Sequence, residues 1–149
     1  MGTIHAALLG VHIAAGGIGL ALGPLAMTAP KRPGRHPRTG VVYQAVLATL
    51  TISAVALAAS APARLWGLGV IAVATEAAAL GGWWVARRRF DGWLGWHVGL
   101  MCGSYVSLVT ALLVVNWDSP LAWIVPTVVG TPLIAVTAAR AKRTLQPAR

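Results

Sequence analysis

Apolar residues run along this chain in five long stretches separated by short polar or basic connections. The stretches cover approximately residues 4–27, 40–60, 63–86, 92–117 and 120–139. Each approaches the ~20 apolar residues that an α-helix needs to cross a bilayer at about 1.5 Å per residue. The pattern therefore predicts an all-α, polytopic transmembrane bundle of five spans within residues 1–141, followed by a basic tail over 142–149.

Basic residues between the apolar stretches predict the orientation of the chain. They form three clusters, in the first connection, in the third connection and in the tail, with members Lys31, Arg32, Arg35, Arg38, Arg87, Arg88, Arg89, Arg140, Lys142, Arg143 and Arg149. Cytoplasmic segments of membrane proteins carry the excess of lysine and arginine. Five spans with the N-terminus outside and the C-terminus in the cytoplasm place all three clusters on that side. We therefore expect a multi-pass protein of a bacterial plasma membrane.

Composition favours the lipid bilayer as the partner. Hydrophobic residues make up 57% of the chain and charged residues 10%, against about 25% charged in soluble domains. The basic residues behind the net charge of +9 lie in short clusters outside the apolar stretches, with Arg64 as the exception, so we expect no nucleic acid partner. The single Cys102 excludes an internal disulfide. Because no basic residue precedes the first stretch, we expect a retained helix and not a secretory signal.

Two histidines and three glycines share one face of the first predicted helix. His5 and His12 are seven residues apart, nearly two helical turns, and Gly16, Gly19 and Gly23 continue their stripe. Small residues let a neighbouring helix approach closely. We therefore expect this face to pack against another helix and both imidazoles to point into the bundle.

Glu76 is an ionisable residue near the middle of the third predicted span. Ionisable groups at such depth usually face the protein interior and mark functional sites. Counted from the outer helix ends, His12 lies about 12 Å deep and Glu76 about 18 to 20 Å. We predict a polar pocket with both at its centre, and we assign Tyr105 and Thr110 to the same ligand or proton site. The alternative is a neutral, hydrogen-bonded Glu76 with a structural role only.

The candidates for binding a metal or cofactor are His5, His12, His36, His97 and Met101. His97 and Met101 lie one helical turn apart and suit a soft metal such as Cu(I), although the favoured interpretation is an interfacial histidine beside a core methionine. Haem b commonly takes two axial histidines. His12 is about 18 Å from the level of His97 along the membrane normal. A haem would therefore need His36 to approach His97, or a dimer that pairs His12 with its copy.

Three short motifs resemble a known family. HIAAG, HPRTGVVY and HVGLMCGSY are similar to motifs of the predicted bacterial membrane proteins catalogued as domain of unknown function 2306. Members often have arginine after the second and third histidines, where this chain has Pro37 and Val98. The resemblance implies that the matching positions matter in this chain: His12, Gly16, His36, Gly40, Tyr43, His97, Met101, Ser104 and Tyr105.

These observations leave three functions open. The first is a small integral membrane protein with an internal His/Glu/Tyr site for a redox cofactor, a metal, a proton or a small ligand. The second is an accessory or assembly subunit that packs its glycine-rich first helix against a larger membrane complex. The protein partner is then such a complex or, alternatively, a second copy of this chain in a homo-oligomer. The third is a small transporter, which the lack of an inverted repeat disfavours. Motifs of soluble enzymes are absent, and whether the chain is an enzyme stays open.

Overall fold

Five α-helices follow one another in the computed structural model, which describes residues 2–29 and 34–145 apart from the side chains of residues 62, 64, 144 and 145. The helices are α1 (Thr3–Thr28), α2 (Arg35–Ser60), α3 (Pro62–Arg88), α4 (Trp93–Asn116) and α5 (Leu121–Leu145). This described part of the chain contains no β-strand.

All five helices are long and apolar enough to cross a membrane. The prediction of an all-α protein with five potential spans is therefore confirmed. The side of the membrane on which each terminus lies stays a prediction.

Two helices extend beyond their predicted ends. α2 begins at Arg35 instead of residue 40, because Pro37 falls in the first turn, where a missing N–H removes no helical hydrogen bond. α5 continues to Leu145 instead of residue 139. Lys142 and Arg143 are good helix formers whose positive charge is favourable near a helix C-terminus, so the helix continues beyond the apolar stretch.

The chain divides into two units, one up to Glu76 and one from Ala77. The first contains α1, α2 and the beginning of α3, and the second contains the remainder of α3 with α4 and α5. A single bundle over residues 1–141 stays a prediction.

In the first unit, α1 packs its small residues against α2. Gly19 and Gly23 are buried, and a Cβ added to Gly16 would lie 3.6 Å from Cδ1 of Leu50. On α2, Leu47 is only 2% exposed. The glycine face of α1 therefore lies in a helix–helix contact within this unit, as small residues at such interfaces allow.

In the second unit, glycines allow two close helix contacts. A Cβ added to Gly130 of α5 would lie 2.5 Å from Cγ2 of Val106 on α4. A Cβ added to Gly82 of α3 would lie 2.9 Å from Cγ of Met101 on α4. Both distances are shorter than real Cβ contacts, so glycine is what permits these helices to approach.

Large apolar side chains also point away from these contacts. Ile52 is 70% exposed, Val115 67% and Ile13 64%. Such surface suits a lipid environment, since a soluble monomer rarely exposes large contiguous apolar patches.

Candidate functional site

A hydrogen bond between two side chains joins α2 and α3 in the first unit. Nε2 of Gln44 donates to Oε1 of Glu76 over 2.5 Å. Both side chains are half-buried. The carboxyl group of Glu76 therefore meets a neutral amide and not a basic side chain.

The remaining oxygen of each partner is buried and unpaired. Among the described residues, Glu76 Oε2 and Gln44 Oε1 have no hydrogen-bond partner. Most buried side-chain polar atoms in proteins have at least one. Both atoms are acceptors when Glu76 is ionised, so the pair lacks a donor.

Glu76 lies near the middle of its helix. It follows the start of α3 at Pro62 by 14 residues and precedes the end at Arg88 by 12. At about 1.5 Å per residue these separations are roughly 21 Å and 18 Å. In a hydrocarbon core about 30 Å thick, the carboxyl group would lie far from both aqueous phases.

One face of α2 positions this pair. Gln44, Thr51 and Ala58 recur every seven residues, a spacing that keeps them on one side of the helix. Thr51 Oγ1 donates to the carbonyl oxygen of Ala72 over 3.4 Å. A Cβ added to Gly69 of α3 would lie 3.0 Å from the Cβ of Ala58. These contacts bring α2 close to α3 and align Gln44 with Glu76.

His12 makes a separate contact with another face of α2. Its Nδ1 lies 3.1 Å from Oγ of Ser53, while Ser53 Oγ donates its own hydrogen to the carbonyl oxygen of Leu50 over 2.8 Å. Because a hydroxyl has one hydrogen to give, Nδ1 of His12 donates to Ser53 and Nε2 is the acceptor nitrogen of the neutral ring.

The structure therefore does not bring His12 and Glu76 together as the predicted pocket required. Their partners Ser53 and Gln44 are nine residues apart on α2, which separates them by about 13 Å along the helix and by about half a turn around it. Position along each helix predicts similar depths for the two residues, but depth does not specify which face of α2 each residue contacts.

His36 and His97 also bond to neighbouring helices. Nδ1 of His36 lies 3.0 Å from the carbonyl oxygen of Ala26 on α1. Nδ1 of His97 lies 2.9 Å from the carbonyl oxygen of Gly82 on α3. Since a carbonyl only accepts, each Nδ1 carries the hydrogen. Polar side chains of this kind hold helices together in membranes.

Of the other predicted site residues, His5 belongs to the first unit, and Met101, Thr110 and Tyr105 belong to the second. His5 is half-buried near the start of α1. Met101 packs on Gly82, beside the contact of His97. Thr110 is buried on α4 and donates to the carbonyl oxygen of Val106 over 2.9 Å. Tyr105 is half-buried on the same helix. Grouping Tyr105 and Thr110 with Glu76 stays a prediction.

The metal and cofactor candidates lie on three helices, α1, α2 and α4. Within residues 2–29 and 34–145, no three His, Cys, Asp or Glu side chains come together as a metal-binding group. Nδ1–H bonded to a carbonyl, as in His36 and His97, is also how ligating histidines are oriented. Haem b or copper on these residues stays a prediction.

Gln44 is the site residue that sequence reasoning missed. It is the only glutamine or asparagine inside the five predicted spans apart from Asn116, which lies at the end of the fourth. An uncharged amide within an apolar helix costs free energy unless it is hydrogen-bonded. That cost indicates that Gln44 needs a polar partner on a neighbouring helix, which is how the sequence could have identified it.

Comparison with known proteins adds no relative. No family model, curated protein or solved structure matches this chain. The fold and the site together define an all-α protein with five helices able to span a membrane and a carboxyl–amide pair that joins two of them, α2 and α3. The resemblance to domain of unknown function 2306 stays a prediction.

Proposed function

We propose that this chain is a multi-pass membrane protein that holds an exchangeable proton on Glu76, with Gln44 as the partner that positions the carboxyl group. The observation that carries the proposal is the pair of buried, unpaired acceptors, Glu76 Oε2 and Gln44 Oε1. A proton on Glu76 turns an unpaired acceptor into the donor that the pair lacks.

The surroundings favour the neutral acid. An ionised carboxylate near the bilayer centre costs several kcal/mol or more unless it is paired. The partner of Glu76 is the neutral amide of Gln44. Protonation removes the charge without requiring a basic residue.

A proton fits this pair better than a metal cation does. Hard cations such as Ca²⁺ take six to eight oxygen ligands and Mg²⁺ demands six. The described residues offer no cluster of three metal-binding side chains, and the pair supplies two unpaired oxygens. A single proton requires only one of them.

Labelling with a hydrophobic carbodiimide tests the proposal, because such reagents attack protonated carboxyl groups in apolar surroundings. The chain has three acidic side chains, Glu76, Asp91 and Asp118, and both aspartates are exposed. With dicyclohexylcarbodiimide at neutral pH, we expect mass spectrometry to find the adduct on Glu76 and not on the aspartates. A water-soluble carbodiimide should give the reverse preference.

The pH dependence of labelling tests exchange of the proton with water. We expect the Glu76 adduct to decline as the buffer becomes strongly alkaline and to return on acidification. Glu76→Gln should keep the side-chain contact with Gln44, fold normally and acquire no adduct. Absence of an adduct on wild-type Glu76 at every pH would reject the neutral acid. An adduct that forms equally at every pH would reject proton exchange and leave a structural acid.

A further inference from the structure

Three consecutive arginines at the end of α3 each lie over a tryptophan ring. The guanidinium carbon of Arg87 is 3.8 Å from the ring centroid of Trp83. The corresponding distance is 5.5 Å for Arg88 over Trp84 and 5.5 Å for Arg89 over Trp93. We call these six residues the arginine–tryptophan cluster.

Helix geometry brings the first two arginines over their tryptophans. Side chains on an α-helix point back toward its N-terminus, so Arg87 and Arg88 reach the tryptophans four residues before them. Arg89 adopts the left-handed backbone conformation, with φ of 50°, as the chain turns from α3 into α4. Its guanidinium then meets Trp93 in the first turn of α4.

Stacking leaves the hydrogen-bonding edge of a guanidinium available. A guanidinium that stacks on an indole keeps its N–H groups in its own plane and directed outward, in the geometry that matches phosphate oxygens. All three arginines are exposed. Among the described residues, their one side-chain hydrogen bond is the 3.4 Å contact of Arg89 Nε with the carbonyl oxygen of Ala86.

A fourth cation lies at the same end of α4. Nζ of Lys142 would be 3.6 Å from a Cβ added to Gly95, so the ammonium group lies beside the first turn of α4. That turn contains no acidic residue and no side-chain cap. The N-terminus of a helix is itself electropositive. One carboxylate, Asp91, lies in the preceding turn, which leaves an excess of positive charge.

We propose that the arginine–tryptophan cluster binds the phosphate of an anionic phospholipid headgroup. The chain carries 12 basic and 3 acidic side chains, so the compensating charge must come from outside it. Tryptophan belongs at the level of the headgroups, and the cluster lies at the end of a helix able to span the membrane. With the predicted orientation, that end faces the cytoplasmic leaflet, where anionic lipids are concentrated.

Native mass spectrometry of the full chain, released from nanodiscs of mixed phosphatidylglycerol and phosphatidylcholine, tests this site. We expect wild type to retain phosphatidylglycerol. Arg87→Gln should lower that retention about fivefold, the effect of one basic residue close to an anionic surface. Arg143→Gln is the charge-matched control, because Arg143 is exposed and lies on α5. It should change retention much less.

Two further variants separate stacking from charge. Arg87→Lys keeps the positive charge but loses the planar guanidinium, and Trp83→Leu keeps all charges but removes the indole. Both should lower retention of phosphatidylglycerol while the variants elute from size-exclusion chromatography as wild type does. Equal losses for Arg87→Gln and Arg143→Gln, or full retention by Arg87→Lys, would show diffuse attraction to anionic lipid and overturn the proposed site.

Discussion

Replacing Gln44 by leucine should destabilise the protein more than replacing Gln44 and Glu76 together. The single substitution removes the donor to Glu76 Oε1 and leaves both carboxyl oxygens without a partner, because Oε2 already lacks one. A buried polar group left unpaired costs about 1–3 kcal/mol. Glu76→Leu should cost a similar amount, since it leaves the Gln44 amide unpaired.

The double variant removes both polar groups. Replacing two hydrogen-bonded partners by apolar groups of similar shape is nearly neutral, so we expect a cost below ~1 kcal/mol for Gln44→Leu with Glu76→Leu. With single costs of about 1–3 kcal/mol each, the resulting coupling energy is about 1–5 kcal/mol. The lower end of this range is already among the strongest interhelical hydrogen bonds measured in membranes, which average about 0.6 kcal/mol and reach about 1.7.

Unfolding in mixed micelles titrated with sodium dodecyl sulfate measures these free energies. Fluorescence of the seven tryptophans reports the transition. Glu76→Gln, which keeps an amide partner for Gln44, is the conservative control and should cost little. If the two single costs add within ~0.5 kcal/mol in the double variant, Gln44 and Glu76 are not coupled and the reasoning for the site fails.

Two further predictions concern helix contacts in the second unit. Gly130→Ala should cost about 1–3 kcal/mol by overpacking, because its Cβ would lie 2.5 Å from Val106 Cγ2; thermal unfolding in detergent measures the loss, and Val106→Ala should restore most of it. Gly103→Ala is the matched control, since a Cβ there meets nothing within 4 Å, and an equal loss in both variants would refute the close approach. His97→Phe should cost about 1 kcal/mol by removing the donor to the Gly82 carbonyl; the same unfolding assay checks it, and an unchanged transition would mean that the bond contributes nothing.

The helices were predictable because length and hydropathy alone determine whether a segment can cross a bilayer. Their ends were less predictable. α2 and α5 continue past the apolar stretches through Pro37 and through Lys142. The helical backbone tolerates these residues at those positions, whereas a span defined by apolar residues ends before them. Polar residues within the spans are also visible in the sequence, and Glu76 is conspicuous among them.

The partners of those residues were not predictable, because a partner depends on the register and rotation of two helices. A shift of one residue rotates a helix by about 100°. His12 therefore meets Ser53, while Glu76 meets Gln44. Distance along the membrane normal ranks residues by depth, but it contains no information on which faces meet.

The α1–α2 hairpin has a consequence for how its sequence can vary. His12 of α1 donates to α2 at Ser53, and His36 of α2 donates to α1 at Ala26. The two bonds tie the helices at points 14 residues apart on α1 and 17 residues apart on α2. A residue inserted between the two hydrogen-bonding positions of either helix would rotate one position relative to the other by about 100°. Homologues should therefore tolerate insertions in the segment that connects the helices and exclude them between His12 and Ala26 on α1 and between His36 and Ser53 on α2.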